Sequence, residues 1–170
     1  SLLLSAERGR FVCAEDYAAD YGPNVIASGD LEGDGDLDIV AADGRTEEVC
    51  VYLNSGGTFA SRVDYPGGDS PWGIVIVDID EDLFPDVVTA NMSPSELVFF
   101  RGRGDGTLAP AIHLPMDENP SSLAAADING DGHIDLITQH NAGDLVRVLP
   151  GNGDGTFGDP VLQNTGDYPR

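Results

Sequence analysis

Three short stretches of this 170-residue chain place oxygen-bearing side chains at every second position. They are Asp30-Leu-Glu32-Gly-Asp34-Gly-Asp36-Leu-Asp38, Asp78-Ile-Asp80-Glu-Asp82-Leu-Phe84-Pro-Asp86 and Asp127-Ile-Asn129-Gly-Asp131-Gly-His133-Ile-Asp135. A turning backbone brings positions 1, 3 and 5 of such a loop to one side, and a carbonyl at position 7 with a carboxylate at position 9 can close the shell. An all-oxygen shell suits a hard cation, so Ca²⁺ at two to three sites is the expected chemistry. Glycines at positions 4 and 6 permit the sharp left-handed bends that the turn needs.

The third loop is complete: Asp127, Asn129, Asp131, the carbonyl of His133, and Asp135. The first carries Glu32 at position 3 and Asp36 at position 7. The second keeps Asp78, Asp80, Asp82 and Asp86, with the Phe84 carbonyl at position 7. Glu81 and Leu83 stand there where the other loops have glycine, and Pro85 stiffens the exit. His133 is a lone imidazole among carboxylates, which argues against a transition metal. An EF-hand is excluded as well: position 12 is Ala41, Thr89 or Thr138, not a bidentate Glu, and an apolar run follows each loop. The bland alternative, three solvated Asp-Gly turns, is weakened by their common register between apolar runs.

Stepping outward, the loops belong to a repeat of 48 or 49 residues. Gly9, Gly57, Gly106 and Gly155 recur at that spacing, as do Phe11, Phe59, Leu108 and Phe157, and Pro23, Pro71, Pro120 and Pro169. Each period holds four short apolar runs. Run A leads into the acidic loop (25–28, 74–77, 123–126) and run B leaves it (39–42, 87–90, 136–139). Run C follows (49–53, 97–101, 145–149), and run D begins at the Phe/Leu column (11–17, 59–65, 108–114, 157–162). These runs are β-branched and punctuated by Gly and Pro, which predicts strands and no helices. Four antiparallel strands per period describe an all-β chain of β-propeller blades, about three and a half repeats long. The expected units are a half blade at 1–22 (strands C and D) and blades at 23–70, 71–119 and 120–168. Ser55-Gly-Gly-Thr58, Gly104-Asp-Gly-Thr107 and Gly153-Asp-Gly-Thr156 read as tight C–D turns.

Composition narrows the partners. Thirty acidic residues against eight basic give a net charge of −22, which repels phosphate backbones, so nucleic acid is not an expected partner. No stretch approaches the roughly 18 apolar residues of a membrane helix, so membrane insertion is not expected. Ser1 to Leu4 is too short for the core of a signal peptide. Two cysteines, Cys13 and Cys50, permit one disulfide without requiring it.

These motifs resemble the FG-GAP/VCBS repeats of integrin-type β-propellers. Asp127 to Asp135 and Gly153-Asp154-Gly155-Thr156-Phe157 match that pattern position for position, and the likeness extends over essentially the whole chain. It implies a secreted or cell-surface calcium-binding propeller with structural metal loops, of the kind found in adhesion proteins, lectins and decorated enzymes.

Because strands alternate direction, the A–B and C–D connections share one face and the B–C and D–A connections the other. Ligand contacts are therefore expected away from the acidic loops, from Arg45, Tyr65, Trp72, Asn91, His140 and Asn141, with Tyr17, Tyr21, Asp43 and Asp144 on the same face. Aromatic rings beside Asn and Arg suit a glycan, and an extracellular protein is the other expected partner. Core packing between blades is the competing role for Trp72. No enzyme is expected: His113, His133 and His140 lie in three separate runs or loops, and only His140 with Asp144 makes an acid/base pair worth testing. Two chains completing a seven-repeat ring, and the remainder of a longer propeller, are both open ways of closing the ring.

Overall fold

The computed structural model describes residues 2–7, 10–15, 17, 22–67, 69–140 and 145–164, without the side chains of 2–7, 10–15 and 162–164. Sixteen strands follow one another: β1 (Leu2–Glu7), β2 (Arg10–Glu15), β3 (Val25–Gly29), β4 (Asp38–Asp43), β5 (Glu48–Tyr52), β6 (Asn54–Ser55), β7 (Thr58–Phe59), β8 (Val63–Pro66), β9 (Pro71–Val77), β10 (Asp86–Met92), β11 (Ser95–Phe100), β12 (Ile112–Pro115), β13 (Pro120–Ala126), β14 (Asp135–His140), β15 (Leu145–Leu149) and β16 (Val161–Asn164). The chain is all-β, and among the described residues no helix is long and apolar enough to cross a membrane.

Three four-stranded antiparallel sheets, β3-β4-β5-β8, β9 to β12 and β13 to β16, are meanders in sequence order, and β1 pairs with β2 in a separate hairpin. Register repeats with the sequence period. Asp38, Asp86 and Asp135 each open the second strand of a sheet opposite the last residue of the first, at Gly29, Val77 and Ala126. Run D is where the sequence reading and the structure part. β2 carries the first run D without a break, but in each later one only the first residue closes the C–D hairpin, through β7 or the isolated bridges Gly102↔Leu108 and Gly151↔Phe157, and the outer strand resumes four residues later. Pro110 and Pro160 lie in that gap, where a residue without an N–H cannot continue a ladder.

The sheets stack through alternate residues of their inner strands. Val40, Ala42, Val49 and Val51 of the first sheet meet Val87, Val98 and Phe100 of the second. Val88, Ala90, Leu97 and Phe99 of the second in turn meet Leu136 and Leu149 of the third. Each sheet thus turns one set of the two-residue period toward the preceding neighbour and the other toward the following one. First strands crowd together: a Cβ on Gly73 would come within 2.8 Å of the Leu123 Cβ. Cys50 lies in a third cluster with Ala41 and Tyr52, against Tyr17 and Phe59. It is a free thiol, pushed up to about 12 by burial and then by Asp64, and the side chain of Cys13 lies outside the described residues.

Candidate functional site

In the outer acidic loops the leading aspartate organises the turn. Asp30 accepts N–H bonds from Gly33 (2.7 Å) and Gly35 (2.9 Å), and Asp127 accepts them from Gly130 (2.7 Å) and Gly132 (3.0 Å). The bond from Gly35 is the chief reason that the Asp30 carboxyl lies below the usual carboxylate range. Those four glycines have φ of 75°, 92°, 81° and 96°. The middle loop takes the same backbone without glycine, at φ 59° for Glu81 and 76° for Leu83. An L-residue there costs about 1–2 kcal/mol, so its surroundings must over-determine the bend. Leu83 N–H still donates to Asp78 Oδ2 at 3.0 Å, but Asp78 Oδ1 is buried and finds no hydrogen-bond partner among the described residues.

Position 9 is a clamp. Asp38, Asp86 and Asp135 are 0%, 3% and 0% exposed. One oxygen of each accepts the N–H at position 2 of its own loop: Leu31 at 2.8 Å, Ile79 at 3.0 Å and Ile128 at 2.9 Å. The other accepts the N–H that opens the C–D hairpin: Asn54 at 2.8 Å, Gly102 at 2.9 Å and Gly151 at 2.9 Å. A carboxylate oxygen has a second lone pair, so these contacts leave room for a cation.

Position 5 accepts the N–H two residues on in its own loop: Asp34 from Asp36, Asp82 from Phe84 and Asp131 from His133. Side chains at position 7 turn outward to the hairpin. Asp36 accepts the Gly56 N–H at 2.6 Å, while the rings of Phe84 and His133 cover Gly104 and Gly153, where any Cβ would collide with them. At position 3, Asn129 bonds Asp131 on both its amide atoms, Glu32 is half-buried, and Asp80 is 9% exposed at the side chain, with Oδ1 buried and unpartnered among the described residues. Ligand atoms of Asp78, Asp80 and Asp86 lie within 4.8 Å of one another, and among the described residues no other acidic loop gathers three carboxylates this closely. Burial first, and neighbouring carboxylates opposed by partners, hold Asp80 and Asp86 above the usual range. Converging buried oxygens without donors fit a hard cation.

The opposite face distributes the expected ligand residues unevenly. Trp72 is 56% exposed and Arg45 is exposed, both open to solvent. Tyr65 is half-buried, its hydroxyl accepting the Leu108 N–H at 3.1 Å and its ring packing edge-on to Phe100, so it joins two sheets. Asn91 is fully buried and donates to the Gly67 carbonyl at 3.3 Å. His140 is also fully buried, between Thr138 Oγ1 (2.7 Å) and the Glu118 carbonyl (3.1 Å). Asn141, Asp144 and Tyr21 lie outside the described residues. Tyr17 packs edge-on to Phe59 at 5.2 Å beside the first C–D hairpin, and so sits toward the acidic-loop side.

What faces solvent between the first two sheets is a cleft of about 340 Å³ lined by Thr46, Glu48, Asp69, Pro94, Glu96 and His113. His113 Nδ1 stands 3.1 Å from Glu96 Oε2. Sequence reasoning missed these residues, since they converge only when B–C and D–A connections of adjacent sheets meet. It missed Arg101 too. Aligning the repeats would have flagged that residue, a guanidinium in the column of Leu53 and Pro150.

Two outcomes follow from this geometry. Replacing Asp135 with Ala strands the buried N–H of Gly151 and the part-buried N–H of Ile128 and should cost about 2–4 kcal/mol, read as the urea midpoint in chelator so that metal plays no part. His140 sits below its ordinary value because of burial first and Arg147 second. The unfolded chain therefore binds that proton more tightly, and the histidine's contribution is complete above about pH 6.5 and lost as pH falls through the lower folded value. Between pH 7 and 5 the stability of the parent should fall more steeply than that of His140→Gln; parallel slopes would show that the imidazole takes up its proton equally in the folded and unfolded states.

The FG-GAP-like repeat model matches residues 30–89 and 78–138, two overlapping spans that include all three acidic loops. No curated protein matches the chain. Among solved structures the fold is similar to that of an Agrocybe aegerita lectin described by its specific recognition of non-reducing terminal N-acetylglucosamine, with a TM-score of 0.57 and 22% identity. That likeness takes in 84% of this chain and 38% of the lectin, so the chain spans well under half the lectin's length. With more than half of its residues inside the matched spans and a clamped acidic loop in each four-stranded sheet, the chain belongs to the FG-GAP-like repeat family.

Proposed function

We propose that this chain is a calcium-stabilised β-propeller module of an extracellular or cell-surface protein, and that it binds a glycan on the face opposite its acidic loops. The observation that carries the reading is the separation of two differently built faces. One holds three loops clamped by buried aspartates, with converging unpartnered carboxylate oxygens in the middle loop. The other holds a polar cleft between the first two sheets, with Trp72 exposed just beyond the D–A connection that rims it. Planar carboxylates and an imidazole take sugar hydroxyls, and an exposed indole packs on a sugar's apolar face. The recognition described for the structurally similar lectin makes terminal N-acetylglucosamine the first sugar to try. Nothing in the cleft arranges a nucleophile beside a base, so a binding role is favoured over a catalytic one.

The test is a glycan array in Ca²⁺ and again in chelator. Specific binding is expected in Ca²⁺, weakened by Trp72→Ala and by Glu96→Gln, and reduced in chelator with the fold's stability. A folded, Ca²⁺-loaded sample that binds no glycan would sink the recognition half of the proposal.

One feature favours a second reading, a segment of a larger ring. Val40, Val49, Val88 and Leu97 are fully buried by the following sheet. Their counterparts on the third sheet, Ile137 and Val146, are only half-buried, as is Val148 beside them. Such a face accepts another repeat or a second copy. In the two-copy version light scattering returns twice the chain mass of 17.8 kDa, and a monodisperse monomer removes that version.

A further inference from the structure

The middle acidic loop differs from its neighbours in one contact that crosses between repeats. Arg101, just past β11, places Nη1 3.3 Å from Asp80 Oδ2, and its Nη2 donates to the Asp154 carbonyl at 3.2 Å in the C–D turn of the next repeat. Gly155 of that turn closes over both side chains: a Cβ there would lie 2.8 Å from Arg101 Nη2 and 3.3 Å from Asp80 Cβ. The preceding repeat builds the same junction from an apolar residue, Gly106 sitting over Leu53 and Glu32. Arg101 is therefore a charged substitute at a position whose counterparts, Leu53 and Pro150, carry none.

Resting on the calcium reading above, we propose that Arg101 is a resident counter-cation of the middle loop that orients Asp80 toward the cage and lowers the loop's affinity for Ca²⁺. Asp80 Oδ2 is engaged by the guanidinium, while Oδ1 is buried without a partner on a side chain only 9% exposed. That second oxygen is the one left for a metal. Asp78 Oδ1 is likewise buried and unpartnered, and Asp78, Asp80 and Asp86 already gather within 4.8 Å. Of the ligand positions 1, 3, 5 and 9, the middle loop carries carboxylates at all four, where the third loop has the neutral Asn129 at position 3. A guanidinium on Asp80 brings the middle cage to the charge of the third. It does so from a residue anchored on the neighbouring repeat, so the middle site reads the junction between two sheets as well as its own loop.

Titration calorimetry of the whole chain with Ca²⁺ tests this, the binding event that Asp80→Ala deletes being the middle loop's. Arg101→Leu, which installs the residue found at the first junction, should tighten that event about tenfold, the scale of a unit charge about 5 Å from a divalent ion at a dielectric near that of water, and leave the others unchanged. Arg101→Lys should stay within about twofold of the parent because it keeps the charge. Arg101→Gln provides the same charge removal should the leucine variant fail to fold, as judged by circular dichroism in chelator. An unchanged or weaker middle event in the neutral variants overturns the role of Arg101 while the calcium reading stands. The absence of any Ca²⁺ event in the parent overturns the calcium reading and the role with it.

Discussion

A buried carboxylate at the ninth position of each acidic loop ties together the three parts of every repeat. Asp38, Asp86 and Asp135 open the second strand, reach back to position 2 of the loop before it, and reach across to the first N–H of the C–D hairpin. Without that carboxylate two N–H groups in each repeat, one of them buried, would lose their acceptor, and a hairpin residue sixteen positions further along the chain would lose its bond to the end of the loop. The clamp also forces close backbone approach. Side chains at Gly102 and Gly151 would collide with the carbonyls of Pro85 and Ile134, so glycine is required at those two points for packing, while the first repeat has Asn54 in the same column. Clamping is done entirely by protein donors, so the loop's shape has a source within the chain itself.

From the clamp, contact passes along the array. The hairpin that one aspartate positions carries the turn glycine that covers the third-position side chain of the preceding loop, as Gly106 covers Glu32 and Gly155 covers Asp80. Between the second and third repeats a further link is polar, with Glu81 Oε1 2.5 Å from His133 Nδ1. That partner raises the His133 imidazole above its ordinary value. Both groups are substantially exposed, so the pair contributes little by itself and its importance is positional. Neighbouring acidic loops are thus held in register by the same turns that close each sheet, as expected of an array stabilised by nearest-neighbour contacts.

The repeat, the four-stranded unit and the loop positions were legible because each rests on a local rule: period-two alternation, paired glycines, and alternate oxygen ligands. The continuous D strand was not, since Pro110 and Pro160 remove ladder donors just past the hairpin. Ligand-face residues were the least legible. Asn91 and His140 occupy the column of Asp43, and a polar residue at the end of a second strand reads as solvent-facing when it is in fact aimed at backbone carbonyls of a neighbouring connection. Which polar groups become satisfied inside and which stay available is decided between sheets, and a single-sequence pattern carries no term for that.

The middle loop shows why local rules and assembled structure can disagree in direction. By sequence it is the weakest of the three, lacking both glycines. Yet Glu81 and Leu83 hold left-handed backbone, with the Leu83 side chain 86% exposed and contributing no packing in return. Strain of that kind persists only where fixed points on either side dictate the path. Here those points are Asp78, which accepts the Leu83 N–H, and Asp86, which holds Ile79 and Gly102. In the outer loops both oxygens of the leading aspartate are consumed by glycine N–H groups. In the middle loop one such bond is missing, so Asp78 Oδ1 stays buried without a donor. The loop that breaks the glycine rule is thus also the one whose carboxylates converge with buried oxygens left unsatisfied among the described residues.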